Sequence, residues 1–319
     1  MSSHPHYDPI HRPVPRRSTR MLFWILVAGL FGGILWWGAE TSHSSAIVRH
    51  HIAYHGGLVL YQPRVYTIYD DPAPTPADAR EHERITQFLE ALPDSRYLAP
   101  IRVYQRRAAR PGSDPALGLA AYDPARQSAT VGACPTSPCQ IGAWIVGIAQ
   151  RHHWPIGTHS IFVIFLPRGR PVKALSPETD LNTLGYHTAW TAGSGPPLLG
   201  AVVTGADAPV PHGAVHPGQI AILTHELIET ITDPLPRQGW IATSASCGGA
   251  GWSDCGDREI ADVCQFGYPN GVSTRIGRET YPMPLYAGPD GACTNGFSLF
   301  NSAGGTDTSP DVAAATALR

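Results

Sequence analysis

Residues 21–39 read MLFWILVAGLFGGILWWGA and hold no charged side chain. At helical rise these residues span about 28 Å, close to the hydrocarbon thickness of a bilayer. Arg12, Arg16, Arg17 and Arg20 come immediately before, and Trp36 and Trp37 stand near the far end. Basic residues favour the cytoplasmic side and indole rings favour the interface. The pattern therefore predicts a cytoplasmic tail over 1–20, a single-pass signal-anchor over 21–39, and a remainder on the periplasmic or extracellular side. A signal peptide cleaved near Ala46, after Ser44 and Ser45, is the alternative. It would secrete the protein, but signal peptides have shorter apolar runs.

This division leaves a spacer over 40–53, a globular domain over 54–297 and a flexible tail over 298–319. Apolar residues make up 43% of the chain, enough for a core, whereas 33 Gly and 31 Pro with only 15% charged residues point to a loop-rich globular domain. With a net charge of -2 and no basic cluster in the folded part, nothing points to a nucleic-acid partner, whose phosphates require concentrated Lys and Arg. Six cysteines on the outer side of a membrane favour disulfides over thiolate metal sites. Cys134 and Cys139 close the tight loop CPTSPC, and Cys247, Cys255, Cys264 and Cys293 all fall after Trp240.

Thr75-Pro76 is a helix start, followed by Ile85, Phe88, Leu89 and Leu92 at helical spacing. GLVLYQPRVYTIYD predicts a strand or hairpin around Pro63, QIGAWIVGIAQRHHW a second helix, and SIFVIFLP and LLGAVVTG two buried strands. Together these elements predict one mixed α/β or α+β domain.

The third helix, within AILTHELIETITDP (221–234), carries the chemistry. At 100° per residue, Ile220, Leu223, Leu227 and Ile231 share one face, while His225, Glu226, Glu229 and Asp233 gather on the other. His225 and Glu229 stand four residues apart, a spacing that lets both ligate one ion, and Glu226 occupies the general-base position of an H-E-x-x-H metalloprotease helix. Ala221, Ile222 and Ile228 leave little of the helix polar, so its carboxylates need a cation or donors to offset lost hydration. Downstream, Glu259 in DREIADVC is the expected third ligand, and Asp262, one helical turn beyond, is expected to orient or complete the set. One His with two carboxylates neutralises a divalent ion and weakens it as a Lewis acid. Zn²⁺ is the expected metal, with Mn²⁺ or Ca²⁺ also compatible with these donors.

YHGGLVLYQPRVYTIYD (54–70), GYHTAW (185–190), THELIETITDP (224–234), the GW pair at 239–240 and EIADVC (259–264) resemble segments of the EXORDIUM/phosphate-induced-protein-1-like family. That resemblance implies an extracytoplasmic protein, and the family's H-E-x-x-E helix is similar to a zincin active-site helix, which implies a zincin-like fold. The apolar anchor and the SCGGAGWSDCGD segment depart from the family pattern, and the growth roles of plant members do not carry over.

His187 in GYHTAW is a candidate oxyanion stabiliser or ligand contact, set against a packed polar residue. His212 and His216 read as a loop before the third helix, and His50, His51 and His55 lie too near the spacer for a metal site. Ser194 lacks the strand–turn–helix context of a nucleophile elbow. Two functions follow. In the first, His225, Glu229 and Glu259 hold a metal while Glu226 acts as general base toward a water that attacks a peptide or other acyl carbon. In the second, the same fold is a non-catalytic surface protein that binds a cell-envelope ligand, with a structural metal or none.

Overall fold

SIFVIF and LLGAVV are buried at every position, as strands covered on both faces require. In the computed structural model, which describes residues 49–71, 73–134, 139–175, 183–205, 207–208, 217–242, 258–265 and 271–300, they form the middle of the main sheet. All of these residues belong to the unit Ile47–Arg319. In chain order the elements are β1 (Ile52–Tyr54), β2 (Arg64–Asp70), α1 (Pro76–Ala91), α2 (Ala99–Ala108), α3 (Pro124–Gln127), β3 (Ser128–Val131), α4 (Ile141–Arg151), β4 (Ser160–Phe165), β5 (Gly185–Trp190) and β6 (Leu198–Val203). There follow α5 (Gln219–Thr232), β7 (Trp240–Ala242), β8 (Arg258–Glu259), α6 (Asp262–Gln265), β9 (Val272–Ile276), β10 (Glu279–Met283), β11 (Tyr286–Ala287), β12 (Cys293–Thr294) and β13 (Leu299–Phe300).

The main sheet has the order β3-β2-β4-β6-β5. Its first four strands are parallel, and β5 runs antiparallel along β6 at the edge. Side chains alternate between faces. Val65, Tyr69, Ile161, Val163, Phe165, Leu199 and Val203 pack with α1, α2 and α5 on one face. Tyr66, Ile68, Phe162, Ile164, Leu198 and Val202 pack with α4 on the other. The mixed α+β class is therefore observed. The helix start at Thr75 is a full capping box, in which Thr75 and Asp78 satisfy each other's backbone N–H groups.

Small antiparallel sheets make up the rest: β1-β7-β8, the β9–β10 hairpin and β11-β12-β13. Disulfides join Cys134 to Cys139 and Cys264 to Cys293; Cys247 and Cys255 lie outside the described residues.

The structure bounds or corrects three readings. Only the second half of GLVLYQPRVYTIYD is a strand: Pro63 has no N–H for a ladder, and Gln62 turns the chain at φ 44°. Val59 and Leu60 are buried in the core outside any strand. Glu259 and Asp262 do not share a helix, because Glu259 ends the two-residue strand β8 and Asp262 opens the four-residue helix α6. Pairing also runs past both expected domain limits, since β1 begins at Ile52 and β13 pairs Phe300 with Cys293. No helix among the described residues is long and apolar enough to cross a membrane, and 21–39 lies outside them.

Candidate metal centre

Helix α5 is anchored before it reaches the site. Gly218 precedes it at φ 87°, a conformation that suits glycine. Gln219 donates from Nε2 to the carbonyls of Leu166 and Thr204, just past the ends of β4 and β6. Ile220, Leu223, Leu227 and Ile231 enter the core as the periodicity requires. The hydroxyls of Thr224, Thr230 and Thr232 donate to carbonyls four residues back, so a helix buried on nearly all sides leaves no threonine unpaired.

On β5, His187 pairs with Ala201 and faces α5 together with Gly185 and Ala189. Gly185 permits the close approach of Glu226. A Cβ there would stand 2.6 Å from Ile222 Cγ2 and 2.8 Å from Glu226 Oε1. At the far end of α5, the Asp233 carboxylate accepts the backbone N–H groups of Arg237, Gln238 and Gly239. Its carbonyl stands 3.1 Å from His187 Nε2.

These elements converge on a cleft of about 620 Å³ lined by His187, His225, Glu226, Glu229, Glu259 and Asp262, among others. Glu229 is at its centre, with only 2% of its surface exposed. Glu229 Oε1 lies 3.2 Å from His225 Nε2, and Oε2 lies 3.4 Å from His187 Nδ1. Asp262 Oδ1 is 3.4 Å from His225 Nε2, and Glu259 Oε1 is 3.4 Å from His187 Nε2. Glu226 Oε2 is 3.6 Å from His187 Nδ1. Two ligand groups result, His225–Glu229–Asp262 and His187–Glu229–Glu259, each with its donor atoms within 4.8 Å of one another. Asp262, expected to orient or complete the set, stands beside His225, whereas Glu259, expected beside His225, stands against His187.

The electrostatics follow from burial and proximity. Burial alone would lower the pKa of His187, but Glu226, Glu229 and Glu259 outweigh it and hold the ring well above 6.5. His225 is held high in the same way, by Glu229 and by its bond to Asp262. Burial raises Glu226, with His187 and His225 opposing. For Glu259, burial and the charge of Glu229 push the carboxyl up to about 8. Glu229 goes the other way: burial works to raise it, but the two imidazoles hold it well below the usual carboxylate range.

The residues fit a divalent cation. Glu229 Oε1 is buried and, 3.2 Å from His225 Nε2, lacks the geometry of a hydrogen bond to it. The imidazoles offset its lost hydration only by their charge, a buried carboxylate oxygen without a directed bond is costly, and one converging with an imidazole nitrogen and a second carboxylate is a metal-type donor set. A third group, His50 with Cys264 and Cys293, also comes within 4.8 Å, but its sulfurs are joined in a disulfide and offer no thiolate. His212 and His216 lie outside the described residues. Ser194 is exposed in the loop between β5 and β6.

No protein-family model matches the chain, and neither does any curated protein or solved structure. The site therefore stands on its own geometry. Sequence reasoning missed two contributors, the Asp233 carbonyl and the bare Cα of Gly185. Neither has a motif, because one acts through its backbone and the other by lacking a side chain.

Proposed function

We propose that this chain is a membrane-anchored, extracytoplasmic metal-dependent hydrolase that cleaves an acyl bond, with a zincin-like peptidase as the nearest type. The observation that carries the reading is the buried, unbonded Oε1 of Glu229, set between His225 and Asp262 on the inner side of an open cleft. His225, Glu229 and Asp262 would hold the ion. A bound divalent ion supplies Lewis acidity, polarising an acyl oxygen and acidifying water. Zn²⁺ suits a mixed imidazole–carboxylate set, and the excess of carboxylate oxygen also suits Mn²⁺.

Glu226 is the general base. Burial raises its pKa from the usual carboxylate value, which strengthens it as a proton acceptor near neutral pH. Gly185 holds open the space for its carboxylate. An acyl substrate would enter along the cleft face of β5, which among the described residues pairs only with β6. The apolar run over 21–39, with its flanking arginines, would tether the domain outside the cytoplasmic membrane. The EXORDIUM-like segments favour the same side of the membrane.

Elemental analysis and peptide hydrolysis by the full chain test the reading. Glu229→Gln should lose the metal, and Glu226→Gln should keep it but lose at least about 100-fold in rate. Absence of bound metal, or metal at the full wild-type level after His225→Ala, would refute a metal centre at His225. Metal retained with no hydrolysis of any acyl substrate would leave the non-catalytic envelope-binding role. Deleting 21–39 should release the protein from the membrane fraction.

A further inference from the structure

Glu229 is the member common to both ligand groups, and its two oxygens face different imidazoles: Oε1 faces His225 and Oε2 faces His187. We propose, building on the metal-centre reading above, that the cleft binds two divalent ions bridged by the Glu229 carboxylate. One ion takes His225, Glu229 Oε1 and Asp262; the other takes His187, Glu229 Oε2 and Glu259.

Three features carry this. The first is the position of the bridge. Two-metal hydrolytic sites hold their ions about 3.5–4 Å apart, and one carboxylate offering an oxygen to each side meets that requirement. The second is the state of His187. The Asp233 carbonyl can only accept a hydrogen bond, and it stands 3.1 Å from Nε2. It therefore places the proton of the neutral ring on Nε2, which Glu259 Oε1 also faces at 3.4 Å, and the lone pair on Nδ1, toward Glu229 and Glu226; a Glu259 donor still lies within 4.8 Å of the other two ligands. Metal-binding histidines are oriented by such a bond on the other nitrogen. His187 is only 6% exposed, so the ring cannot turn out to solvent without unpacking β5 from α5.

The third is donor count. Glu226, Glu229, Glu259 and Asp262 bring four carboxylates to one cleft beside two imidazoles, more protein donors than one tetrahedral ion takes. Arg237 and Arg258 line the same cleft, and protons on the imidazoles would balance part of the charge when metal is absent. Stoichiometry therefore separates one ion from two.

The test is Zn²⁺ titration of the full chain, with Mn²⁺ electron paramagnetic resonance on the same protein. The wild type should take up two equivalents, and its Mn²⁺ form should give the spectrum of a spin-coupled pair. His187→Gln and Glu259→Gln should each drop to one equivalent, with Asp262→Asn losing the other, and Glu229→Gln should abolish the coupled spectrum. One equivalent in the wild type, unchanged by His187→Gln, overturns the two-ion site and leaves the single-ion reading standing. No uptake at all overturns both. The Mn²⁺ spectrum of the wild type needs no variant to fold, and an isolated-ion spectrum at saturation counts against the bridge.

Discussion

The two walls of the cleft are built on different principles. One wall is α5 on β5, a regular helix packed against a sheet strand, carrying His225, Glu226, Glu229 and His187. The other is β8 with α6, two residues of strand and one turn of helix, carrying Glu259 and Asp262. The first is held by a continuous apolar core. The second is held by pairing with β7, by the bond from Ala287 N–H to the Ile260 carbonyl, and by the Cys264–Cys293 disulfide two residues beyond Asp262. Ile260, Ala261 and Cys264 enter the same core, but short elements have too little periodic surface to fix their own position, so a covalent link and a few backbone bonds add to that packing.

If the walls are joined across the cleft by protons or ions, pH should have the largest effect. Glu259 is raised from 4.5 to about 8, Glu226 is raised, and both imidazoles lie above 6.5. In metal-free protein the native state thus holds protons that the unfolded chain has released. The Glu259 contribution is full below about 4.5, is lost as pH rises from there through about 8, and levels off beyond; the imidazole contributions are full below 6.5 and lost above it. Glu229, held low, has the opposite sign and loses its contribution only in strong acid. Bound metal should reverse the trend, because its ligands must shed their protons. Thermal unfolding from about pH 5 to 9, with and without Zn²⁺, reads both slopes; parallel slopes would show that the walls are not coupled through these groups.

Removing the covalent link should come next. Cys264→Ser with Cys293→Ser should cost about 2–4 kcal/mol and weaken metal uptake through Glu259 and Asp262. Hydrogen exchange in β4 and β6 should stay slow, and uniform loosening there would remove the distinction between the walls. Gly185→Ala attacks the other wall. Its Cβ would press on Ile222 and Glu226, at a cost of about 1–3 kcal/mol, and hydrolysis should fall while metal content holds. The smallest effect is expected from Thr75→Ala, at a residue that does not line the cleft; it removes one capping bond from α1 and costs about 1 kcal/mol with no change in metal affinity.

The legibility of the site in the sequence follows the same contrast. His225, Glu226 and Glu229 could be found on one polar face because fourteen residues of helix sample its period several times. Glu259 and Asp262 stood out only as acids downstream. Their spacing suggested one helical turn, but a strand residue and a helix start occupy those positions, and their order relative to His225 is reversed. His187 was visible as a histidine in an aromatic segment, yet nothing local places it opposite Glu229, 42 positions away. That meeting depends on β5 running antiparallel at the sheet edge with Gly185 beneath Glu226.

The sequence by itself determined what local periodicity and side-chain chemistry can carry. These are the uncharged run at 21–39, the buried strands, the capped helix at Thr75, the close cysteine pair and the H-E-x-x-E face. Tertiary structure alone decided which carboxylates share an ion, because those distances are set by sheet order, by a disulfide between distant residues and by backbone groups that leave no mark in the pattern of side chains.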